Sequence, residues 1–342
     1  MAKVFITGGT GCIGAVTVYQ LITQYGDEIE QVLIGSRSSS TDQLEIWFGE
    51  SLPQYVDEGK IAFAQVDIGD QQSLQGTLET FKPTHVIHLG ALQSPDCASD
   101  PAKGLAVNLA GTMSLFNMIE ALDPPLKRMV FASSGAVYGK RAMYPEATVS
   151  ENAQLSPPNL YGVWKVAGEH LATLFHENTG IPTVSLRLNT TFGPGRDQGT
   201  TSAPTKVMKS LVLGANEGES MPFEMHYRGR ENYHYVEDVG AHFAGVCMLP
   251  FEGCQAFNIK GKTIEVSQFL EMVNAIAVEL GIDEFLETGI AADATPNLFI
   301  CDLDDAAVEA QFPGLPRTPI DEGIRKTIER FRVMVTAGRV KI

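Results

Sequence analysis

The sequence of 342 residues is poor in positive charge and has no long apolar run. Lys and Arg number 25 against 41 Asp and Glu, so the formal net charge is −16. A field of that sign repels phosphate backbones, which argues against nucleic acid as a partner. No run approaches the roughly 18 apolar residues of a membrane span, and the N-terminus lacks the features of a signal peptide. We therefore expect no membrane partner.

Cysteine is also scarce: five residues, odd in number and scattered, with no CxxC pair. This pattern argues against a disulfide framework and a zinc ribbon, and it indicates a reducing, cytoplasmic location. The seven histidines form no HExxH motif and no ligand-like cluster, so we expect no metal. With 44% hydrophobic residues the chain has a normal globular balance, and its length suits two domains.

Strand-like and helix-like segments alternate through the first half of the chain. Apolar, β-branched runs predict strands, and apolar residues at helical spacing predict the helices between them. Strands are predicted at 3–7, 31–35, 61–66, 85–89, 129–132 and 184–188, and helices at 13–25, 71–81, 105–122 and 160–178. This alternation is typical of a doubly wound α/β domain, whose parallel sheet is covered by helices on both faces.

A glycine-rich loop, TGGTGCIG at 7–14, follows the first predicted strand and opens the first helix. Gly8, Gly11 and Gly14 stand three apart. In a dinucleotide-binding loop the first permits a tight turn, the second lets a pyrophosphate approach the backbone, and the third lets helix and strand pack closely. The helix N-terminus adds free amide donors, so we expect a dinucleotide here.

The end of the second predicted strand bears on which dinucleotide binds. An acidic residue there usually holds the ribose 2′-hydroxyl of NAD. Here the strand ends Gly35-Ser36-Arg37-Ser38, with no carboxylate. Arg37, helped by Ser36 and Ser38, can instead neutralise a 2′-phosphate, with an ordinary exposed loop arginine as the alternative. The sequence therefore predicts NADP in preference to NAD.

Tyr161 and Lys165 stand four apart at the start of a predicted helix, so their side chains share one face. A cationic amine beside a phenol lowers the pKa of the phenol, so that tyrosinate can act as a base near neutral pH. The segment FASSGAVYG at 131–139 ends the fifth strand, at the sheet edge where ligands bind in such folds. A serine hydroxyl there, Ser133 or Ser134, can orient a substrate oxygen.

These motifs together resemble the extended short-chain dehydrogenase/reductases of the NAD-dependent epimerase/dehydratase family, of the UDP-galactose 4-epimerase-like type. The resemblance spans nearly the whole chain and also rests on VDI at 66–68, HLGA at 88–91, VN at 107–108 and LR at 186–187. It implies that Tyr161 is the general acid/base. It also implies that Lys165 holds the nicotinamide ribose and tunes Tyr161, and that Ser134 binds the reacting oxygen.

The resemblance implies a cofactor site along the same sheet edge, with Asp67 and Ile68 flanking the adenine and with Ala91 and Asn108 near the cofactor and the active-site wall. It also implies a homodimer, formed through helical segments at 105–122 and 160–175. The predicted cofactor-binding residues are Gly8, Gly11, Cys12, Ile13, Gly14, Ser36, Arg37, Ser38, Asp67, Ile68, Leu89, Gly90, Ala91, Asn108, Tyr161 and Lys165.

The substrate side departs from the family's sugar-nucleotide pattern. Members that bind nucleotide sugars usually carry Asn where this chain has Thr190, and Arg near the slot of Glu231, with Arg230 one place off. A carboxylate at that slot would repel a diphosphate. Polar residues in the loop 193–202 suit a hydroxyl-rich or carboxylated small molecule. The predicted substrate residues are Gln93, Ser134, Thr190, Arg196 and Arg230.

The chain is predicted to divide into a dinucleotide-binding Rossmann domain at 1–190 and a smaller, mainly substrate-binding domain at 191–342. Regularity fades after residue 191: 192–221 is rich in Gly, Pro, Thr and Ser, and 224–238 is charged and aromatic. Amphipathic helices are predicted at 266–280 and 320–335. A segment near 235–260 is expected to return to the first domain.

Three functions remain open at this point. The sequence favours an NAD(P)-dependent oxidoreductase acting on a secondary alcohol or ketone of a sugar, sugar acid or polyol. The alternative is a nucleotide-sugar 4-epimerase, whose tightly bound NAD is reduced and reoxidised in each turnover. Gly135-Ala136 stands where dehydratases of the family commonly have an acidic pair, which argues against that branch. A non-catalytic dinucleotide-binding protein is disfavoured by the intact Ser/Tyr/Lys set.

Overall fold

The computed structural model describes residues 1–297 and 299–339. Its first half holds β1 (Ala2–Thr7), α1 (Cys12–Tyr25), β2 (Ile29–Ser36), α2 (Asp42–Phe48), α3 (Leu52–Asp57), β3 (Ile61–Gln65), α4 (Gln71–Phe81), β4 (His85–His88), α5 (Ser94–Ser99), α6 (Pro101–Gly104), α7 (Thr112–Glu120), β5 (Arg128–Ser134) and α8 (Leu160–Thr179). A π-helical stretch, Leu105–Gly111, joins α6 to α7. The second half holds β6 (Thr183–Leu188), β7 (Thr190–Phe192), α9 (Ala203–Glu217), β8 (Phe223–Arg228), β9 (Arg230–Tyr235), α10 (Val236–Met248), β10 (Cys254–Asn258), β11 (Lys262–Glu265), α11 (Val266–Glu279), β12 (Thr288–Pro296), α12 (Ala306–Gln311) and α13 (Ile320–Thr336).

Seven strands form one parallel sheet in the order β10-β6-β5-β4-β1-β2-β3. Six of them are the strands predicted from the sequence, so the predicted doubly wound α/β fold is confirmed. The seventh, β10, escaped prediction because it is a short edge strand, CQAFN, with no continuous apolar run. The strand order reverses at β1, between β2 and β4. In open α/β sheets ligands bind outside the carboxyl ends of the strands at such a reversal.

Helices cover both faces of this sheet, and alternate residues of β1 show which side each helix takes. Val4 and Ile6 belong to a core shared with α1 and α10, whereas Phe5 belongs to a core shared with α4, α7 and α8. Because side chains of a strand alternate between faces, three consecutive apolar residues supply both cores. Helices α1 and α10 pack closely: a Cβ on Gly240 would lie 2.9 Å from the backbone carbon of Val16.

The later part of the chain adds a three-stranded sheet, β11-β9-β7, and a parallel pair, β12-β8. Aromatic side chains fill the space beneath them: the ring centroids of Tyr233 and Phe269 are 4.7 Å apart, and those of Phe192 and Phe269 are 5.4 Å apart. The stretch predicted to be irregular, 192–221, contains the 15-residue helix α9. Its signal was present as buried apolar residues at helical spacing, but the surrounding Gly, Pro and Thr residues obscured it.

Membrane spans and metal clusters are absent from the part of the chain that the structure describes. No helix within 1–297 and 299–339 is long and apolar enough to cross a membrane. No group of three or more His, Cys, Asp or Glu side chains among those residues is arranged to hold a metal ion. All five cysteines are free thiols.

A buried ion pair joins helix α8 to the sheet. Glu169 of α8 accepts hydrogen bonds from Arg187 of β6 at 2.8 Å (Nε) and 2.7 Å (Nη2), and both side chains are almost wholly buried. Ser133 of β5 also donates to Glu169. Arg187 Nη1 donates to the Tyr138 hydroxyl at 2.7 Å, and that hydroxyl donates to Asn258 of β10 at 2.7 Å. The network therefore fixes α8 against three neighbouring strands.

Replacing Glu169 with Gln should lower the free energy of unfolding by about 3 kcal/mol, because Arg187 would keep its buried charge without a compensating partner. Urea unfolding followed by circular dichroism measures the change. Glu177→Gln is the matched control, since Glu177 is an exposed carboxylate on the same helix, and its effect should stay within about 0.5 kcal/mol. Equal, small effects at both positions would contradict the structural importance of the ion pair.

Candidate active site

A cleft of about 690 Å³ lies at the carboxyl ends of the parallel strands. Its walls come from the glycine loop after β1, the ends of β2, β4 and β5, the start of α8 and the loop after β7. Most of the residues predicted for cofactor and catalysis lie in this single space. Those that line it are Gly8, Gly11, Cys12, Ile13, Gly14, Ser36, Arg37, Ser38, Asp67, Ile68, Leu89, Gly90, Ala91, Gln93, Ser134, Tyr161, Lys165 and Arg196.

Close backbone contacts in the glycine loop leave no room for a side chain at Gly8 or Gly14. Gly8 has a φ of 71°, and a Cβ there would lie 3.0 Å from the backbone nitrogen of Gly90. A Cβ on Gly14 would lie 2.3 Å from the carbonyl oxygen of Gly8. Helix α1 begins at Cys12, and no side chain caps it at Gly11. Its first amides are therefore left to an outside acceptor, and this arrangement fits the pyrophosphate of a dinucleotide.

A chain of buried hydrogen bonds supports the loop after β4. The Gly90 amide donates to the Thr7 hydroxyl at 3.1 Å, and that hydroxyl is 2.7 Å from His88 Nδ1. His88 Nε2 is 2.9 Å from the Thr112 hydroxyl, which itself donates to the Asn108 carbonyl at 2.8 Å. Thr112 must accept from His88, so the imidazole carries its proton on Nε2. Burial lowers the pKa of His88 to about 3, so the ring is neutral.

Asn108 does not line the cleft, unlike the other predicted cofactor residues. Its side chain is buried and holds the backbone of Leu92: Oδ1 accepts from the Leu92 amide at 2.7 Å, and Nδ2 donates to the Leu92 carbonyl at 2.9 Å. Asn108 thus fixes the cleft wall from behind. His88 likewise supports the cleft wall from behind, through its hydrogen bond to Thr7. The sequence did not predict this role, because a histidine within a strand has no pattern that distinguishes a supporting residue.

Tyr161, Lys165 and Ser134 meet at one end of the cleft. The Ser134 hydroxyl accepts a hydrogen bond from the Ala136 amide at 3.1 Å, and Ser134 lines the cleft together with Tyr161. Lys165 Nζ donates to the carbonyl of Ala132 at 2.6 Å and lies 5.5 Å from the centroid of the Tyr161 ring. Because Ser133 is engaged with Glu169, Ser134 is the serine available to a ligand.

The electrostatics of this group differ from the expectation that Lys165 lowers the pKa of Tyr161. Burial raises the pKa of Tyr161, against the opposing effects of Ser134 and of the positive charge of Arg196. Burial also lowers the pKa of Lys165 to about 8. The ammonium group is directed at the Ala132 carbonyl, so desolvation dominates at both residues.

Two predicted substrate residues lie away from the cleft. Thr190 is fully buried and donates to Glu231 Oε1 at 2.6 Å, and Asn297 donates to Glu231 Oε2 at 2.7 Å. Arg230 is half exposed and pairs with Asp302 at 2.7 Å. Burial raises the pKa of Glu231 to about 8. The sequence predicted that Glu231 would repel a diphosphate in the cleft. The structure corrects this prediction, because the Glu231 carboxyl faces the interior, between two hydrogen-bond donors.

Six further polar or aromatic residues line the cleft outside the predicted site residues, and two of them, Gln198 and Thr201, belong to the polar loop 193–202 noted in the sequence. Two others, Asn189 and Thr191, flank Thr190, and the alternation of a strand explains why they reach the cleft while Thr190 does not. That alternation was a signal that could have found them. The six are Asn159, Asn189, Thr191, Gln198, Thr201 and Phe299.

Residues 4–259 match the sequence profile of the NAD dependent epimerase/dehydratase family. The chain therefore belongs to this family of extended short-chain dehydrogenase/reductases, enzymes that use a nicotinamide dinucleotide, and the resemblance stated from the sequence is confirmed. It is 24% identical to dTDP-glucose 4,6-dehydratase of Neisseria meningitidis over 354 residues, covering 97% of this chain and 93% of that protein.

Two solved structures share the fold across both chains. The UDP-glucose 4-epimerase of Thermus thermophilus, in complex with NAD, has a TM-score of 0.75 and 24% identity, covering 96% of this chain and 99% of the other. The L-threonine dehydrogenase of Clostridium difficile has a TM-score of 0.75 and 21% identity, covering 97% and 98%. The relatives thus include a dehydratase, an epimerase and a dehydrogenase.

Gly14→Ala should weaken dinucleotide binding by about 100-fold, because the new methyl group would overlap the Gly8 carbonyl and displace the loop. Isothermal titration with NAD and NADP measures the dissociation constants. Gly76→Ala is the matched control. Gly76 lies on the exposed face of helix α4, where a Cβ would meet nothing within 4 Å, so binding should be unchanged. Wild-type affinity in Gly14→Ala would disprove the assignment of this loop.

Proposed function

We propose that this protein is an NAD(P)-dependent oxidoreductase that interconverts a secondary alcohol and a ketone in a small sugar acid, sugar or polyol. The observation that carries the proposal is the hydrogen bond between Thr190 and Glu231, both turned into the interior. These are the positions where nucleotide-sugar members usually offer Asn and Arg to the substrate. Here neither position supplies a group to the cleft, and Arg230 does not replace them, because it lies outside the cleft and pairs with Asp302.

Tyr161 is the proposed general acid/base, and Ser134 the group that steadies the reacting oxygen. In alcohol oxidation the phenolate of Tyr161 takes the hydroxyl proton while Ser134 donates to the same oxygen. A nicotinamide dinucleotide bound in the cleft would supply the acceptor for the hydride of the substrate carbon. Because burial keeps Tyr161 protonated, the phenol is ready to donate a proton in ketone reduction. Lys165, held by the Ala132 carbonyl, is the proposed contact of the nicotinamide ribose.

The two parts of the chain have distinct proposed roles. Residues 1–190, with 235–260 returning to them, would bind the dinucleotide, and the rest of 191–342 would supply the substrate side. In support, β10 pairs with β6 and α10 packs on α1, so this segment completes the sheet. Residues of the loop after β7 and Phe299 line the far wall of the cleft.

The alternative function is a nucleotide-sugar 4-epimerase. It is favoured by the relatives, one of which is the NAD complex of a UDP-glucose 4-epimerase. An epimerase returns the hydride to the same substrate, so it shows no net redox change. Activity on a UDP-sugar without added dinucleotide would favour it over the oxidoreductase.

We predict that the protein binds NADP more tightly than NAD, because Arg37 and Ser38 line the cleft where β2 ends without a carboxylate. Several solved structures of similar proteins contain NAD, so the predicted preference for NADP rests on this chain alone. Competition titrations of the two dinucleotides measure it. Arg37→Ala should weaken NADP binding by about tenfold and leave NAD binding unchanged. Tighter binding of NAD by the wild type would contradict the prediction.

We also propose that the protein forms a homodimer through α7 and α8. Five large apolar side chains in and beside these helices are about half exposed: Leu105, Met113, Leu160, Val163 and Leu174. Exposed apolar side chains along two helices that pack against each other fit a contact surface. Sedimentation velocity should show a dimer, which Leu174→Asp converts to a monomer. Val278→Asp, a similarly exposed position on α11, should remain dimeric. A monomeric wild type would overturn the proposal.

Tyr161→Phe should lower the rate of alcohol oxidation by about 10²–10⁴-fold while dinucleotide binding is retained, because only the proton acceptor is lost. In the wild type the rate should rise with pH through the neutral range, since the raised pKa of Tyr161 leaves most of the phenol protonated there. The residual rate of the variant should lack that rise. Steady-state rates across pH, followed by reduced-dinucleotide absorbance, measure both. Full turnover in Tyr161→Phe would exclude the mechanism.

A further inference from the structure

Arg196 occupies the wall of the cleft opposite the Tyr161 helix, in the loop after β7. Its guanidinium is held in place: Nη2 donates to the Thr201 hydroxyl at 3.1 Å, and Nη1 donates to the Gln198 carbonyl. Its Nε is buried and has no hydrogen-bond partner among the described residues. The arginine is therefore oriented by its own loop and still carries an unused donor.

Arg196 also takes part in none of the ion pairs among residues 1–297 and 299–339. The carboxylates that line the same cleft, Asp67 and Asp96, do not pair with it. The neighbouring Asp197 lies 3.5 Å from Lys209 instead. Lys165, the other cation near this end of the cleft, is directed at a backbone carbonyl. In a protein with a net charge of −16, a cation left without a carboxylate inside a cleft is available to an anionic ligand.

The loop that carries Arg196 lies against the glycine loop, because Cys12 Sγ is 4.0 Å from the carbonyl oxygen of Pro194. Arg196 also lines the same cleft as Tyr161 and Cys12. The guanidinium thus shares this space with the proposed base and with the proposed pyrophosphate site. Two anions can reach such a place: a carboxylate of the substrate, or a phosphate of the dinucleotide.

We infer that the substrate is a hydroxy acid whose carboxylate is bound by Arg196, with the reacting hydroxyl directed at Tyr161. This rests on the proposed oxidoreductase function. A planar guanidinium matches a carboxylate through paired hydrogen bonds, and the uncharged Gln93, Asn189 and Thr191 on the same wall suit further hydroxyl groups. A phosphate of the dinucleotide fits less well, because the uncapped amides at the start of α1 are the proposed donors to the pyrophosphate.

The proposed oxidation conserves atoms and electrons. The carbinol C–H bond breaks and its hydride passes to NAD(P)⁺, while the O–H proton passes to the phenolate of Tyr161. The secondary alcohol is oxidised to a ketone, and the products are a keto acid and the reduced dinucleotide. The carboxylate takes no part in the electron transfer, so its contact with Arg196 contributes affinity and orientation only.

The test compares acids with the alcohols that lack only the carboxylate. L-threonate against threitol, D-gluconate against D-glucitol and D-galactonate against galactitol are titrated calorimetrically into protein saturated with dinucleotide. In the wild type at least one acid should bind about ten times or more as tightly as its alcohol. Arg196→Met should weaken binding of that acid by about 10²-fold and remove the preference, and Arg196→Lys should restore part of it.

Two controls distinguish a carboxylate contact from a general charge effect and from a contact with the dinucleotide. Lys206→Met removes a nearby positive charge on α9 that does not line the cleft, and it should preserve the preference for the acid. The dissociation constants of NAD and NADP should stay within about threefold in Arg196→Met. A large loss of dinucleotide affinity, with the acid preference intact, would assign Arg196 to the cofactor and overturn the inference.

The remaining outcomes distinguish the inference from the function on which it rests. If no acid binds better than its alcohol, the carboxylate site is wrong. If an alcohol is oxidised as well as its acid, the oxidoreductase stands and the carboxylate site falls. If an acid binds in an Arg196-dependent way but no acid of the panel reduces either dinucleotide, the carboxylate site stands and the oxidoreductase proposal falls.

Discussion

The ion pair between Glu169 and Arg187 holds the active-site helix against the sheet. Both charges are removed from water, so each depends on the other and on the donors around them, which include Ser133. Glu169 lies one turn beyond Lys165 and two turns beyond Tyr161 on α8. The same network engages β5, the strand that ends at Ser134. The distance between the proposed base and the serine hydroxyl is therefore set by an interaction that contacts no ligand.

Burial governs the chemistry of the cleft more than charge pairing does. Burial raises the pKa of Tyr161 and lowers that of Lys165 to about 8. It also keeps His88 neutral beneath the loop that follows β4. Lys165 and His88 are held by oriented hydrogen bonds rather than by an opposite charge. A site arranged in this way is preorganised, because little has to turn when substrate arrives. Arg196 differs, since its charge has no ion-pair partner among the residues that the structure describes.

The sequence was sufficient for six of the seven sheet strands, for the glycine loop and for bringing Tyr161 and Lys165 to one helix face, because these depend on local patterns: strand runs, glycine spacing and an i, i+4 pair. It failed where position depends on tertiary packing. Thr190 and Arg230 were expected in the cleft. The alternation of side chains along the strand turns Thr190 into the interior, and Arg230 forms an ion pair with Asp302 outside the cleft. The pKa of Tyr161 was expected to fall, and only the folded structure shows how strongly it is desolvated.

An oxidoreductase of the proposed kind exchanges its dinucleotide in every turnover, whereas a nucleotide-sugar epimerase holds it through an internal redox cycle. Mass spectrometry of the dinucleotide released from freshly purified, denatured protein tests the proposed oxidoreductase function most directly. We predict protein that is largely empty and that can afterwards be saturated with added NADP or NAD. Stoichiometric, tightly retained NAD or NADH would contradict that function, and would favour a nucleotide-sugar epimerase.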